Sequence, residues 1–180
     1  MQLDVETQLT IDLHAVVRNV TEWAKDLLVD YIDRYVYQWG AQQKKMAAQQ
    51  GQLTMYYIWN KFQPTGQFKR SIVFEQMHTD IENYIGYTIF SKQELMEYDG
   101  VDNLHGNRQH DYRAVLMERL NEGYTDMPNH AHIEWWKNRP QFFDMYLDEL
   151  EDLVYQRFEY EMTKRGLAWR KEGVVNGEFI

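Results

Sequence analysis

At 180 residues, with a formal charge of -9 and no cysteine, the chain is long enough to bury one hydrophobic core without disulfides or a structural metal. The missing thiols exclude disulfide bonds, thiolate zinc sites, iron-sulfur clusters and a cysteine nucleophile, and they suit a reducing cytoplasm. The acidic balance weighs against nucleic-acid binding, which depends on clustered lysine and arginine to release counterions.

Hydrophobic residues make up 44% and aromatics 15% of the chain, with only three prolines, a composition that folds rather than one that stays disordered. No stretch approaches the roughly 20 consecutive apolar residues of a membrane span, and Met1, Gln2, Leu3 and Asp4 lack the basic start of a signal peptide. The expectation is a chain that neither crosses a membrane nor leaves the cell by that route. The nearest basic groupings are Lys61, Lys69 and Arg70, and then Lys164, Arg165, Arg170 and Lys171.

Leu9, Leu13, Val16, Val20, Trp23, Leu27, Tyr31 and Tyr35 recur at steps of three and four, the spacing that stacks side chains on one helix face. They predict a long amphipathic helix from about Thr10, a suitable N-cap, to Trp39, with Gly40 as its stop. Leu3, Val5, Leu9, Ile11 and Leu13 also alternate at period two, so a short strand over residues 2–9 is the alternative lead-in. A helix of that length, on the order of 45 Å at 1.5 Å per residue, exceeds a small core. It is either an ordinary core helix or one whose exposed seam packs on a neighbouring subunit.

Residues 41–53, rich in Gln, Ala and Lys, read as a solvated loop or a weak helical extension. An aromatic run follows, from Met55 through Tyr56, Tyr57, Ile58 and Trp59 to Phe62, and Pro64, Thr65 and Gly66 turn the chain. Residues 68–74 and 84–90 concentrate β-branched and aromatic side chains and predict two paired antiparallel strands. Gly86 within the second marks a bulge or a close approach.

Residues 91–110, with Gly100, Asn103, Gly106 and Asn107, read as a long irregular excursion. Tyr112, Val115, Leu116, Arg119 and Leu120 predict a short helix closed by Gly123. Residues 131–137, with Ile133, Trp135 and Trp136, read as a strand or an irregular aromatic segment. Pro140 then opens a closing helix from its first turn, with Phe143, Leu147, Leu150, Val154, Phe158 and Met162 as its buried stripe and Gly166 as its end. The organisation is a single domain over residues 1–166 with an extended or flexible tail over 167–180.

The chain lacks GxGxxG, GxxxxGK, GxSxG and HExxH. His130, His132 and Glu134 would share one face of a strand, with His105 and His110 upstream, and so form a conceivable divalent-metal set; solvated polar residues before a Trp pair are the plainer reading. Asp144, Asp148, Glu151 and Asp152 bring carboxylates together at helical spacing, as an acid-base pair requires, but charged outer faces are also what an apolar stripe leaves behind. Neither set defines a catalytic, cofactor or metal site. Six Trp, thirteen Tyr and nine Met supply core and, in the two aromatic-rich segments 55–62 and 135–143, residues of the kind enriched at protein interfaces.

The order of these parts resembles the tail-completion, or head-to-tail joining, proteins of tailed bacteriophages, a family related to tail terminators. Pro64, Thr65, Gly66, Gln67, Phe68, Lys69, Arg70, Ser71 and Ile72 look like that family's Thr-Gly-hydrophobic-x-x-Ser-Ile segment. Leu120, Asn121, Glu122 and Gly123 are similar to its Glu-Gly turn, and Arg139, Pro140, Gln141, Phe142 and Phe143 to the Arg-Pro-Phe lead into its last helix. The resemblance spans residues 10–166 in order; the Gln-rich segment after the first helix and the excursion from Ser91 to His110 depart from it.

The resemblance implies an α+β fold, a small antiparallel sheet packed by a long N-terminal and a long C-terminal helix. It further implies a ring of six identical subunits in the neck or tail of a virion assembled in the host cytoplasm. The ring's partners are then further copies of itself, portal or connector adaptor proteins and tail-tube proteins. Genomic DNA passes through its lumen without specific binding, which an acidic lining favours. No catalytic residue, cofactor or membrane contact comes with the family. The alternatives are another neck or tail subunit (a connector adaptor, tail terminator or minor tail protein), a metal-dependent hydrolase or nuclease on His130, His132 and Glu134, or a binding module of a host regulatory or toxin system.

Overall fold

Repeating apolar steps of four organise the first third of the chain into helix. A computed structural model describes residues 5–49, 66–78, 84–96, 117, 120–121, 140–169, 174–175 and 178–179. Helix α1 runs Val5–Ile32 and buries Val16, Val20, Ala24, Leu28, Tyr31 and Ile32. Val16, Val20 and Tyr31 of the expected stripe are buried; Ala24, Leu28 and Ile32 join them on the inner line, Trp23 and Leu27 sit half-buried beside it, and Leu9 is 44% exposed.

Both expected ends of this helix move. Its start lies at Val5, so neither a strand over 2–9 nor a cap at Thr10 forms within the described part. The Thr10 hydroxyl instead donates back to the Glu6 carbonyl (3.0 Å), the bond a mid-helix threonine makes one turn earlier. At the far end the helix widens into a π segment, Asp33–Gln38, and continues as α2, Trp39–Gln49. Gly40 is buried inside that continuation. A helix-interior glycine costs only about 1 kcal/mol relative to alanine, too little to stop a helix already propagating.

Gly66 adopts a left-handed φ of +74° and starts the short helix α3, Gln67–Ser71; the Arg70 amide donates to the Gly66 carbonyl (3.1 Å). Strand β1 follows as Ile72–Gln76, so the expected strand over 68–74 begins four residues late because its first residues coil. Strand β2 is Tyr87–Ser91, antiparallel to β1 with Ile72 opposite Ser91 and Gln76 opposite Tyr87. Two flanking bonds extend the ladder, from the Met77 amide to Gly86 (2.9 Å) and from the Lys92 amide to Ser71 (2.8 Å). Gly86 stands just before β2 rather than within it. A Cβ there would come within 2.6 Å of the Tyr84 ring, a close approach that a larger residue would relieve by moving that exposed ring.

A 3-10 turn, Gln93–Leu95, leads to Met96, which is 2% exposed. Met117, Leu120 and Asn121 are helical; the expected helix around them, its glycine stop and the segment 131–137 lie outside the described residues. The closing helix α4 runs Phe142–Lys164 with Gln141 at its N-cap. Pro140 therefore precedes the helix instead of opening its first turn. The buried residues of α4 are Phe142, Tyr146, Glu161 and Met162, while Leu147 of the expected stripe is 45% exposed.

The end of α4 is as expected. Gly166 has a φ of +67°, its amide donates to Thr163 (2.9 Å) and the Leu167 amide to Met162 (3.0 Å), the paired bonds that satisfy a helix's last carbonyls around a left-handed residue. Beyond it a two-residue pairing joins β3, Val174–Val175, to β4, Glu178–Phe179.

The α+β arrangement is as expected: a long N-terminal helix, a C-terminal helix and a two-stranded antiparallel sheet. α1 and α4 pack lengthwise, and the sheet lies against α1. Two cores form along the helix pair. One joins Leu28, Tyr31, Ile32 and Tyr146 to Phe68, Ile72, Met96, Leu120 and Phe142. The other joins Val16, Val20 and Met162, and Leu167 and Trp169 pack on it past the expected boundary at residue 166.

Candidate functional site

The first core is built from all three segments that carry the family resemblance. Phe68 and Ile72 come from the Thr-Gly segment, Leu120 from the Glu-Gly segment and Phe142 from the Arg-Pro segment. Polar bonds tie the same segments together. The fully buried Ser71 hydroxyl donates to the Phe68 carbonyl (2.7 Å) and lies 2.8 Å from the Ser91 hydroxyl. Asn121, 7% exposed, accepts from the Phe143 amide (2.9 Å) and donates to Asp144 (3.3 Å). It thereby caps α4 from another part of the chain, since Gln141 at the N-cap makes no side-chain capping bond among the described residues.

The π segment holds α3. Lys69 donates to Asp33 (2.6 Å) and its amide to the Tyr37 hydroxyl (3.4 Å). The Lys69 hydrogen bond, with a second from Gln38, keeps the Asp33 carboxyl below its usual range, while burial raises the Tyr37 phenol. The wider turn of a π segment brings consecutive side chains closer to one face, and Tyr35, Val36 and Tyr37 all pack against the first core.

Two polar contacts join the long helices. Tyr31 donates to Glu149, and that bond first, then burial, pushes its phenol up to about 12. Further along, Glu161 is 1% exposed and accepts from Asn19 (2.9 Å), Arg157 (2.8 Å) and Arg165 (3.0 Å). Burial pushes its carboxyl up, but the bonds from Asn19 and Arg165 and the charge of Arg157 outweigh it, and the group stays below the usual glutamate range. The Arg157 Nε is buried without a partner among the described residues.

Beside the first core a cleft of about 450 Å³ opens between α1, β2 and α4. Leu28, Ile89 and Met117 form its apolar floor and sides, and Phe143, Tyr146 and Leu147 its α4 wall; Ser91 and Gln93 add polar edges. Tyr146 is 3% exposed, and burial pushes its phenol up to about 12. Its ring stacks on Phe143 at 5.8 Å and meets Tyr31 edge-on at 6.1 Å.

His105, His110, His130, His132 and Glu134 lie outside the described residues. Among the described residues no group of three or more His, Asp or Glu is placed to hold a metal. Asp144, Asp148, Glu151 and Asp152 are exposed on α4, a solvated face. Two members of the basic groupings are engaged internally, Lys69 with Asp33 and Arg165 with Glu161. Sequence reasoning missed the cleft, Asn121 as a cap and Glu161 as a buried anchor. The Glu161 signal was legible, since Arg157 and Arg165 flank it four residues away on either side and so share its helix face.

No helix among the described residues is long and apolar enough to cross a membrane. No protein-family model, curated protein or solved structure matches the chain.

Proposed function

We propose that the chain is a structural virion protein of a tailed bacteriophage, a non-enzymatic subunit of a homo-oligomeric ring at the head-tail junction that completes the tail and joins it to the connector. The observation that carries this reading is the meeting of its three recognition segments: Phe68, Ile72, Leu120 and Phe142 share one core, so residues far apart in the chain act as one structural unit. A ring that closes needs two different surfaces on each subunit. Exposed apolar residues are available at the start of α1, where Val5, Leu9 and Ile11 are uncovered, and on α4 at Tyr155 and Tyr160.

The ring docks connector and tail-tube proteins, and the acidic balance of the chain lets DNA pass its lumen without adhering. Mass spectrometry of purified virions, with copy number from cryo-electron microscopy, tests the reading. Six copies per particle are expected; twelve would move the chain to the connector side of the neck. A soluble monomer absent from particles would refute the proposal.

A further inference from the structure

The cleft and its rim differ in character, and the difference defines what fits. The walls from Leu28, Ile89, Phe143 and Leu147 are apolar, and about 450 Å³ is within the range of pockets that accept a ligand group. Leu147 stays 45% exposed at the edge, an uncovered apolar side chain. Tyr146, 3% exposed, lines the same cleft.

The rim is acidic. Helical spacing sets Asp144 and Glu151, three before and four after Leu147, beside it on α4, with Asp148 adjoining; all three are exposed. Asp148 and Glu151 form no ion pair among the described residues. Across the mouth Glu94 is exposed next to Gln93, and Lys92 is already paired with Glu75 (3.4 Å).

We infer that this cleft docks a basic segment of another protein, an apolar side chain inserted between β2 and α4 with lysine or arginine on either side meeting Asp148 and Glu151. Charge complementarity selects such a partner over a second copy, because a chain of net charge -9 brings like charge to an acidic mouth. The inference does not depend on the ring, and the two are tested separately.

The experiment follows methyl resonances of Leu147, Ile89 and Met117 in the full-length protein. The probes are two synthetic peptides sharing a Leu-Phe centre, one flanked by lysines and the other by glutamates. The lysine-flanked peptide is expected to shift these three resonances, and the paired D148N and E151Q changes to weaken it on the order of tenfold, the sum of rim pairs individually worth little. L147K, at an exposed position, is expected to abolish binding while leaving core methyl resonances in place.

Four outcomes would overturn the inference. They are no shift at about millimolar lysine-flanked peptide, equal binding of the glutamate-flanked peptide, contacts in the free protein showing another segment of this chain in the cleft, or concentration-dependent contacts showing a second copy there.

Discussion

Removing the Glu161 carboxylate tests whether the buried end of α4 rests on apolar packing alone or also on a polar cluster, in which Arg157 and Arg165 pair with Glu161 within α4 and Asn19 reaches it from α1. Glu161 is 1% exposed and its partners Arg157 and Arg165 are 34% and 23% exposed. Breaking a buried ion pair by deleting one partner costs about 3–5 kcal/mol. Partial exposure lets water re-solvate the arginines, so Glu161→Ala belongs near the lower end, about 3 kcal/mol. At roughly 2–4 °C per kcal/mol for a domain of this size, melting falls by about 6–12 °C.

Glu161→Gln keeps the shape, and its one carbonyl oxygen can still accept from Asn19 and Arg165, but its NH2 then faces Arg157 and that bond is lost. About 1.5–3 kcal/mol is expected, the worth of one hydrogen bond to a charged group. The sign with pH follows from the depressed folded-state carboxyl. Its stabilisation is fully present above the unfolded glutamate value of about 4.3 and is lost as pH falls through the lower folded value. Urea titrations from neutral to acid pH should show wild type losing this increment while the glutamine variant lacks it. A Glu161→Ala protein within about 0.5 kcal/mol of wild type, or a glutamine variant with the full acid slope, would refute the anchor.

Asn121→Ala should destabilise by about 1 kcal/mol through loss of the α4 cap. Asn121→Asp should restore the bond to the Phe143 amide yet regain stability on mild acidification relative to wild type, because it sets a second carboxylate against Asp144; urea midpoints at two pH values read both. Gly166→Ala should cost about 1–2 kcal/mol because its φ of +67° is left-handed, in a position where a Cβ meets nothing within 4 Å. The expected penalty is therefore conformational, and an unchanged melting temperature would contradict it. Tyr31→Phe should cost about 1.5–3 kcal/mol, the worth of a hydrogen bond to a charged group. Phenolate absorbance should show Tyr31 and Tyr146 both titrating at about 12, and this variant one such group fewer. That contribution is full below the ordinary tyrosine value and disappears as pH rises through the folded one.

The helices and the strand pair were legible because periodicity survives small errors of phase. Their ends were not, and each miss has a local cause. Thr10 carries a side chain suited to a cap, but it bonds the Glu6 carbonyl because the helix had already begun. Phe68 and Lys69 belong to a stretch rich in strand formers, yet the left-handed Gly66 turns them into a helix first. On α4 the inner face lies at Phe142 and Tyr146 near the start and at Glu161 and Met162 near the end. That drift is natural where two long helices cross, and no single helix repeat contains it.

The site was less legible than the fold. The cleft is a property of α1, β2 and α4 together, and no one of their sequences encodes it. Asn121 resembled a residue of a turn; its role as a cap depends on a helix 21 residues later in the chain. The paired arginines around Glu161 were readable as helix neighbours, but the third donor, Asn19, lies 142 residues away.

The Tyr31–Glu149 and Asn19–Glu161 contacts stand well apart along the same pair of helices. Apolar stripes tolerate slippage, whereas hydrogen bonds do not. For α1 to slide along α4 by one turn, about 5.4 Å, both bonds must break together, leaving the buried Glu161 carboxylate with only the arginines of its own helix. The pair is thus keyed at two points like a splined shaft, and a push at one end reaches the other as displacement rather than creep.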